Sequence, residues 1–307
     1  MDRFVVCGEA LIDLAPVKGA EESTFSSTWL AQSAGGPMNT AVALSRLELP
    51  VQFLGRLSTD RFGRQLVSHL EANEVGLDVA VINDEPTSLA IVNLDEHGKA
   101  TFFFHFTGTA NFGWQASELP TLERGDWLHM ASLVTVVDPG AEVLREWVSG
   151  LSAPWSLDIN VRPAVIPDPA EYERRTRSWL EILRRTGGLA KASDDDLAFM
   201  FGDADPIDVA RQLVADHGLE LMLLTLGPDG AAAVSGDGTV LTEPGVKVDV
   251  VDTIGAGDTF MAGFLGEYAY SGRIQQALKY GVAGSALACT RQGPQPPTLA
   301  ELADHLG

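Results

Sequence analysis

The chemistry that this sequence could perform is concentrated near its C-terminus, where residues 250–263 read VVDTIGAGDTFMAG. Gly255, Ala256 and Gly257 have little or no side chain, and an apolar stretch with helical spacing follows them. Free N–H groups at the start of a helix bind anions, and the helix dipole strengthens such a site. Because larger side chains would block close approach, these three residues predict a backbone anion site.

Asp258 comes next and would lie in the first turn of that helix, where the dipole favours the ionised form of a carboxyl group. An ionised carboxylate beside an anion site can take the proton of a hydroxyl that attacks an electrophile. Phosphoryl transfer fits this arrangement, because its chemistry is mostly positioning and charge stabilisation. Acids are also favoured at helix starts for capping alone, so a capping role for Asp258 is the alternative.

Other motifs for nucleotides and nucleophiles are absent from the sequence. A P-loop needs GxxxxGK[ST], and the Gly98–Lys99 pair has Asn93 where the first glycine belongs. The Gly-Ala-Gly run lacks the third glycine of a dinucleotide fingerprint. No GxSxG hydrolase elbow occurs.

The composition excludes several function classes. The net charge of −21 over 307 residues repels phosphate backbones, so we expect no nucleic-acid partner. No run of 18 apolar residues occurs, so we expect no membrane span. Cys7 and Cys289 form no disulfide framework or CxxC motif, and no signal peptide is recognisable, which favours a reducing cytoplasm.

Short apolar runs alternate with helical stretches along the chain. The runs do not alternate between apolar and polar residues, as expected of strands buried on both faces. This order predicts an α/β fold, with a mainly parallel, doubly wound sheet flanked by helices. The predicted strands are 4–7, 51–54, 127–130, 155–159 and 221–226, and the predicted helices are 39–48, 61–75, 140–150, 170–186, 205–217 and one that starts near 273.

One region departs from this alternation. Residues 88–94 and 100–106 flank the polar run 95–98 and predict a β-hairpin. Residues 11–17 and 24–30 could pair with it. We therefore expect a small β-sheet lid, from roughly 11–33 and 86–107, inserted in a single domain of residues 1–307.

Two stretches resemble a known family. Residues 252–263 resemble the C-terminal motif of the PfkB carbohydrate kinases, the ribokinase-like family, and AGGPMNTA at 34–41 resembles its N-terminal motif. The resemblance covers essentially the whole chain and points to the fructokinase-like branch. It implies a ribokinase-like fold and an enzyme that transfers the γ-phosphate of ATP to a hydroxyl of a small sugar. Asp258 would be the catalytic base, and the backbone of Gly255, Ala256 and Gly257 would hold the γ-phosphate.

The resemblance also implies a set of sugar-binding residues. They are Asp13, Gly35, Gly36, Asn39, Asn160 and Arg162. Asp13 matches an acid that clamps sugar hydroxyls, although it could also be a solvated acid at a strand end. Arg162 lies in DINVRP, which resembles a stretch of fructokinases and 2-keto-3-deoxygluconate kinases, and could instead form a structural ion pair.

The nucleotide end follows from two further stretches, KASDDD at 191–196 and TLGPDG at 225–230. The implied nucleotide-binding residues are Lys191, Ser193, Asp196, Thr225, Gly227 and Gly230. Asp196 replaces the glutamate that organises Mg²⁺ in the family, so the Mg²⁺ geometry stays open, and Asp194, Asp195 and Asp196 could be only a solvated turn. Asp252 and the carbonyl of Ile254 resemble a monovalent-cation site for K⁺.

Fructose is the expected substrate, with ATP, Mg²⁺ and K⁺ as the expected cofactors. The alternatives are a 2-keto-3-deoxygluconate kinase, an idle relative that only binds sugar and, more remotely, a hydride-transferring enzyme. The resemblance also implies a homodimer that forms through the lid. His105, near the end of the aromatic strand, either takes the place of an arginine that many relatives carry or merely ends an edge strand.

Overall fold

The computed structural model describes residues 1–307 except 18, 20–22, 24 and 95–99. Within these described residues the strands are β1 (Arg3–Cys7), β2 (Leu11–Pro16), β3 (Trp29–Ala34), β4 (Val51–Leu54), β5 (Arg56–Ser58), β6 (Val81–Asn83), β7 (Leu89–Leu94), β8 (Ala100–His105), β9 (Asp126–Ala131), β10 (Trp155–Asp158), β11 (Leu189–Ser193), β12 (Leu221–Thr225), β13 (Gly230–Ser235) and β14 (Val240–Pro244). The α-helices are α1 (Gly36–Arg46), α2 (Arg61–Ala72), α3 (Gly140–Ser149), α4 (Pro169–Thr186), α5 (Asp194–Phe201), α6 (Pro206–His217), α7 (Ala256–Ser271), α8 (Ile274–Cys289) and α9 (Leu299–Leu306).

The main sheet has the strand order β14-β13-β12-β11-β10-β9-β1-β4. The strands from β12 to β4 are parallel, and β13 and β14 extend the sheet in antiparallel fashion. The predicted fold class is confirmed. The strands β11, β13 and β14 were not predicted from the sequence, because small residues such as those of GAAAVS in β13 carry little strand signal.

Two apolar cores lie on the two faces of the main sheet. Along β1, Val5 and Cys7 belong to one core, and Phe4 and Val6 belong to the other. The first core includes residues of α3, α4, α5 and α6, and the second includes residues of α1, α2, α7 and α8. This division explains why the strands lack polar alternation, since both faces are covered. Among the described residues, no helix combines the length and apolar character needed to cross a bilayer.

Acidic side chains begin several of these helices. The carboxylate of Asp60 accepts the amide of Gly63 at 2.7 Å, and that of Asp168 accepts the amide of Ala170 at 3.0 Å. These contacts satisfy amides that have no partner within the helix. Proline follows the cap in α4, where its fixed φ suits the first helical position.

A second sheet has the order β3-β2-β7-β8. The pairing of β7 with β8 confirms the predicted hairpin, whose turn at 95–98 lies outside the described residues. Residues 11–16 pair with the hairpin as expected, and the strand predicted at 24–30 joins the same sheet through β2, but its bounds were wrong because β3 starts at Trp29 and continues to Ala34. The register explains the later start: Leu11 pairs with Ala34 beside the short connection into α1, and Pro16 at the end of β2 pairs with Trp29.

Candidate active site

A cavity of about 560 Å³ lies between the carboxyl edge of the main sheet and the small sheet. Open α/β sheets place their ligands at this edge, because the loops that follow parallel strands meet there. Twelve of the predicted site residues line the cavity, and they are Asp13, Gly35, Gly36, Asn39, Asn160, Arg162, Lys191, Asp252, Ile254, Gly255, Gly257 and Asp258. Ala256, Ser193, Asp196, Thr225, Gly227 and Gly230 do not contribute to its lining.

The N-terminus of α7 opens into this cavity. Gly255 precedes the helix with φ +77°, a left-handed conformation that glycine adopts without strain. The amide of Ala256 donates to the carbonyl of Thr253 at 3.2 Å, so it is already used in a turn. Among the residues that the structure describes, the amides of Gly255 and Gly257 have no such partner. The predicted anion site would therefore rest on these two amides, and the predicted contribution of Ala256 would compete with the turn.

Asp258 lies in the first turn of α7 with 8% of its surface exposed. The side-chain amide of Asn39 donates to its Oδ2 at 2.9 Å. Burial raises the pKa of the Asp258 carboxyl, and the hydrogen bond from Asn39 and the charges of Arg162 and Lys191 counter only part of this effect. The sequence led us to expect that the helix dipole would favour ionisation, but the loss of solvation outweighs it.

Gly36 leaves room for the groups that surround Asp258. A Cβ atom at Gly36 would lie 2.9 Å from Nδ2 of Asn160 and 3.1 Å from Oδ1 of Asp258. Gly36 begins α1, so its backbone brings the Asn39 side chain of the same helix to Asp258. The glycine is needed because a side chain here would displace the carboxylate or the amide.

Arg162 is held by its own loop. The Nη1 atom of Arg162 donates to Oδ1 of Asn160 at 2.6 Å and to the carbonyl of Val161 at 3.0 Å. Asn160 has φ +44°, which places both its side chain and its carbonyl near the guanidinium. Arg162 forms no ion pair with any residue that the structure describes. The alternative of a structural ion pair therefore receives no support.

Two acids lie at the end of the cavity that includes Arg162. Burial raises the pKa of Asp13 to about 6, and Arg162 counters part of that shift. Glu9 also lines the cavity, and burial raises its pKa to about 7. Glu9 was not among the predicted site residues, although its position two residues after a buried strand was a usable signal.

Lys191 and Asp158 form a buried ion pair, in which Nζ lies 2.9 Å from Oδ2. Burial raises the pKa of Asp158 to about 6 despite this partner. Burial lowers the pKa of Lys191, but the charges of Asp158, Asp196 and Asp258 outweigh it, so the net shift is upward. A Cβ atom at Gly257 would lie 3.2 Å from Nζ, so the cation faces the anion site. Asp158 begins the DINVRP stretch, but its pairing with Lys191 was not predicted.

Ser193 and Asp196 form the capping box of α5. The Asp196 amide donates to Oγ of Ser193 at 3.0 Å, and the Ser193 amide donates to Oδ2 of Asp196 at 2.8 Å. Oδ1 of Asp196 accepts the Val161 amide at 2.7 Å, which ties this helix to the loop of Arg162. Asp196 is 7% exposed, so the solvated acidic turn is wrong at this position.

The remaining residues that are predicted to bind the nucleotide lie at the end of β12 and in the turn after it. Thr225 pairs with Ser193 in the sheet, at the same carboxyl edge. Gly227 and Gly230 have φ +52° and φ +101°, as a tight turn between β12 and β13 requires. These residues lie at the same carboxyl edge of the main sheet, outside the cavity lining.

At the cavity rim, Asp252 accepts the amides of Ile254 at 3.1 Å and of Gly293 at 2.9 Å. The described residues contain no group of three or more His, Cys, Asp or Glu side chains that could hold a metal ion. On β8, Phe102 and Phe104 line the cavity and His105 does not. Since neighbouring side chains of a strand alternate between its faces, His105 points away from the cavity of this chain, and as the last residue of the edge strand β8 it fits the alternative of a strand end.

The sequence matches the model of the pfkB family carbohydrate kinases over residues 1–301. It is 33% identical to the fructokinase of Rhizobium leguminosarum bv. trifolii, over 95% of this chain and 87% of the relative. The fructokinase of Vibrio cholerae O395 in its fructose, ADP and calcium ion bound form superposes with a TM-score of 0.85 at 28% identity, over 100% of this chain and 99% of that one.

A double mutant of the same Vibrio enzyme in its fructose, ADP and potassium ion bound form gives a TM-score of 0.86 at 27% identity, again over 100% of this chain and 99% of that one. The ribokinase-like fold and the resemblance to the fructokinase-like branch are thereby confirmed. With both the matched family model and these relatives covering nearly its whole length, this chain belongs to the pfkB family of carbohydrate kinases.

Proposed function

We propose that the protein transfers the γ-phosphate of ATP to a hydroxyl of fructose. The observation that carries this proposal is the buried carboxylate of Asp258 at the open N-terminus of α7, inside a cavity large enough for a small sugar. The fructokinases among its relatives support the choice of sugar. Neither the 2-keto-3-deoxygluconate kinase nor the idle relative is favoured by these comparisons.

Asp258 acts as the general base. Its raised pKa makes it a stronger proton acceptor than an ordinary aspartate once it is ionised. Asn39 fixes one carboxylate oxygen, so the other faces the space that Gly36 leaves open. A sugar hydroxyl in that space would give its proton to Asp258 as its oxygen attacks the γ-phosphate.

The amides of Gly255 and Gly257 hold the phosphoryl group as it moves. Their charge stabilisation is preorganised, because the glycine backbone and the helix dipole are already in place. The Nζ atom of Lys191 faces the same site and adds positive charge. ATP would extend from there along the carboxyl edge, past Ser193 and Thr225 to the turn of Gly227 and Gly230.

Mg²⁺ fits this site as an ion that arrives with the nucleotide. Both carboxylate oxygens of Asp196 accept backbone amides, so its side chain is not a free ligand. Mg²⁺ usually keeps several waters and binds phosphates with one or two carboxylates. When bound, it would neutralise phosphate charge, and Asp196 would act on it through water.

K⁺ fits the loop that precedes α7. Asp252 and the carbonyl of Ile254 are hard oxygen ligands of the kind that alkali cations accept, and the Asp252 side chain already orders this loop. The potassium ion in the related Vibrio structure supports the assignment. Such a cation would stabilise the conformation in which the amides of Gly255 and Gly257 face the phosphate.

The small sheet acts as a lid within one domain of residues 1–307. Phe102 and Phe104 from β8 line the cavity opposite Asp258, so closure of the sheet would exclude water and limit ATP hydrolysis. Phe103 on the same strand is 57% exposed, which supports a homodimer through this sheet. Both cysteines are unpaired, as a reducing cytoplasm would keep them.

A sugar panel tests the proposal. Purified protein with ATP, Mg²⁺ and K⁺ is offered fructose, ribose, glucose and 2-keto-3-deoxygluconate, with ADP release and sugar phosphate measured separately. We expect fructose to give a kcat/KM at least ~10-fold above the others, the discrimination that one or two well-placed hydrogen bonds provide. Faster turnover of the sugar acid would overturn the choice of sugar, and sugar binding without turnover would indicate the idle relative.

A further inference from the structure

The carboxyl group of Glu9 faces the cavity, and the hydroxyl group of Ser132 lies behind it, outside the cavity lining. Glu9 is 2% exposed although it lines the cavity, and its Oε2 atom has no hydrogen-bond partner in the described residues. Ser132 is 0% exposed, and its hydroxyl lies beside the Glu9 carboxyl, whose pKa it lowers. Because buried polar groups are nearly always satisfied, the unpartnered Oε2 atom of Glu9 beside a cavity indicates that a ligand completes it.

The two groups are brought together by the main sheet. Strands β1 and β9 are parallel neighbours in which Cys7 pairs with Met130. Glu9 and Ser132 therefore stand two residues beyond the same rung of the sheet, where adjacent chains lie about 4.8 Å apart. The sheet register, which the two apolar cores fix, places them side by side.

The backbone of Ser132 is in an unusual conformation. Its φ is +63°, which non-glycine residues rarely adopt and which concentrates at functional sites. The hydroxyl of Thr135 donates to the Ser132 carbonyl at 2.6 Å and holds this conformation. This conformation turns the chain out of β9 at the position that neighbours Glu9.

The charges around Glu9 decide what kind of group would bind. Asp13 and Arg162 line the same end of the cavity, and Arg162 acts electrostatically on both acids. Burial raises the pKa of Glu9 to about 7, which the nearby Ser132 hydroxyl and the Leu133 backbone partly counter. A carboxylate on the ligand would meet these acids, whereas a hydroxyl can donate to the free oxygen of Glu9.

We propose that Glu9, held in place by Ser132, binds one hydroxyl of the sugar, distinct from the hydroxyl that is phosphorylated, and so selects a neutral sugar over a sugar acid. This inference rests on the proposed sugar kinase function and names Glu9 as a specificity-determining residue and Ser132 as its positioning residue, neither of which the sequence motifs revealed. Glu9 contacts the substrate and takes no part in the phosphoryl transfer.

The test combines protein variants with sugars that lack one hydroxyl each. Fructose and a panel of monodeoxy and anhydro fructose analogues are measured with the parent enzyme, Glu9→Gln and Ser132→Gly. We expect each variant to raise the KM for fructose about 10-fold, the effect of losing a hydrogen bond, while kcat and the KM for ATP change less than ~3-fold. One analogue should lose affinity in the parent and no further affinity in the variants.

Ser132→Gly separates binding from structure. Glycine tolerates φ +63°, so this variant should be at least as heat-stable as the parent and yet bind fructose more weakly. If Glu9→Gln does not fold, Ser132→Gly carries the test alone. Glu118→Gln, which removes a partner of Arg56 outside the cavity, is the control and should leave the KM for fructose unchanged.

The failures of the two proposals are distinguishable. If every analogue carries the same penalty in the parent and in both variants, Glu9 does not touch the sugar and Ser132 does not position it, and this inference is overturned while the kinase function stands. If the parent does not phosphorylate fructose, the proposed function fails. In that case, calorimetry measures how tightly the parent enzyme and both variants bind whichever sugar of the panel does bind. If no sugar of the panel binds, both the proposed function and this inference are overturned.

Discussion

The proposed sugar end and the proposed nucleotide end of the site are built differently. At the sugar end, Asp258 and Asn39 are each 8% exposed and are joined by a hydrogen bond of 2.9 Å. At the nucleotide end, Thr225 is half-buried and Gly227 is exposed. Binding at the first end uses preorganised polar groups, and binding at the second uses backbone and open surface.

This difference indicates where specificity and rate arise. A buried polar group that loses its partner pays the full cost of desolvation, so the sugar end discriminates sharply between ligands. Substitution of an exposed residue usually changes the free energy by little. We therefore expect substitutions to have large effects near Asp258 and small effects along the nucleotide edge.

The largest effect should come from Asp258→Asn. The amide cannot accept the sugar proton, so kcat should fall between about 10²-fold and 10⁴-fold, the usual contribution of a general base. Steady-state kinetics with fructose and ATP measure the loss. Asp304→Asn makes the same change on an exposed residue of α9 and should leave kcat unchanged. Near-normal turnover of Asp258→Asn would remove this carboxyl from the mechanism.

The next largest effect should come from Gly255→Val. A Cβ atom here would lie 2.9 Å from Cβ of Pro294, so the side chain would displace the loop that presents the amides of the proposed anion site. We expect kcat to fall about 10²-fold, corresponding to roughly 3 kcal/mol for one lost donor, with fructose binding unchanged.

A matched control for that variant lies at the other end of the same helix. Gly272 caps the C-terminus of α7 with φ +64°, and a Cβ atom there would have no neighbour within 4 Å, so Gly272→Val imposes similar strain without touching the cavity. Both variants should lose stability, by roughly 1–2 kcal/mol for a left-handed residue. Equal kcat values for the two would contradict the anion site.

A smaller effect should come from Asn39→Leu. Loss of the donor to Asp258 should lower kcat about 10-fold, because a hydrogen bond to a charged group contributes about 1.5–3 kcal/mol. The donor favours the ionised form, so its removal raises the pKa of Asp258 further.

The base works only when ionised, so activity is lost as pH falls through this pKa, and the acid limb of kcat should move to higher pH. Asn73→Leu, at the end of α2, should leave that limb in place. An acid limb that stays at the same pH in Asn39→Leu would show that another group controls it.

The sequence predicted the position of this site in the fold better than the contacts within it. Two motifs and the strand pattern placed Gly36, Asp258 and Arg162 at one edge of a sheet, because local spacing determines which residues follow each strand. The pairing of Lys191 with Asp158 and the unpartnered Glu9 depend on strand register across the sheet. Register is a long-range property that local spacing does not determine, so such contacts were beyond prediction.

Predicted strand boundaries were wrong, and strands were missed, where the local residues carry little strand signal. The start of β3 at Trp29 and the strand β13 are determined by pairing with neighbours and not by their own residues. The same holds for Ser193, whose sequence position resembled a nucleotide ligand and whose hydroxyl caps α5. Motif resemblance identifies the segment, and only the fold identifies which atom of it is free.

The smallest effects should come from Thr225→Val and Ser193→Ala, which occupy paired positions on β12 and β11. Thr225→Val should raise the KM for ATP about 2-fold to 5-fold, because a single partly exposed contact contributes under about 1 kcal/mol, and should leave the melting temperature unchanged. Ser193→Ala should do the reverse: it removes the cap of α5, costs about 1 kcal/mol of folding stability and leaves the KM for ATP unchanged. Thermal unfolding and ATP titration on both variants separate the two roles. If Ser193→Ala weakens ATP binding more than Thr225→Val does, the capping hydroxyl also serves the nucleotide, and the contrast between a fixed sugar end and an open nucleotide end is less sharp than the geometry indicates.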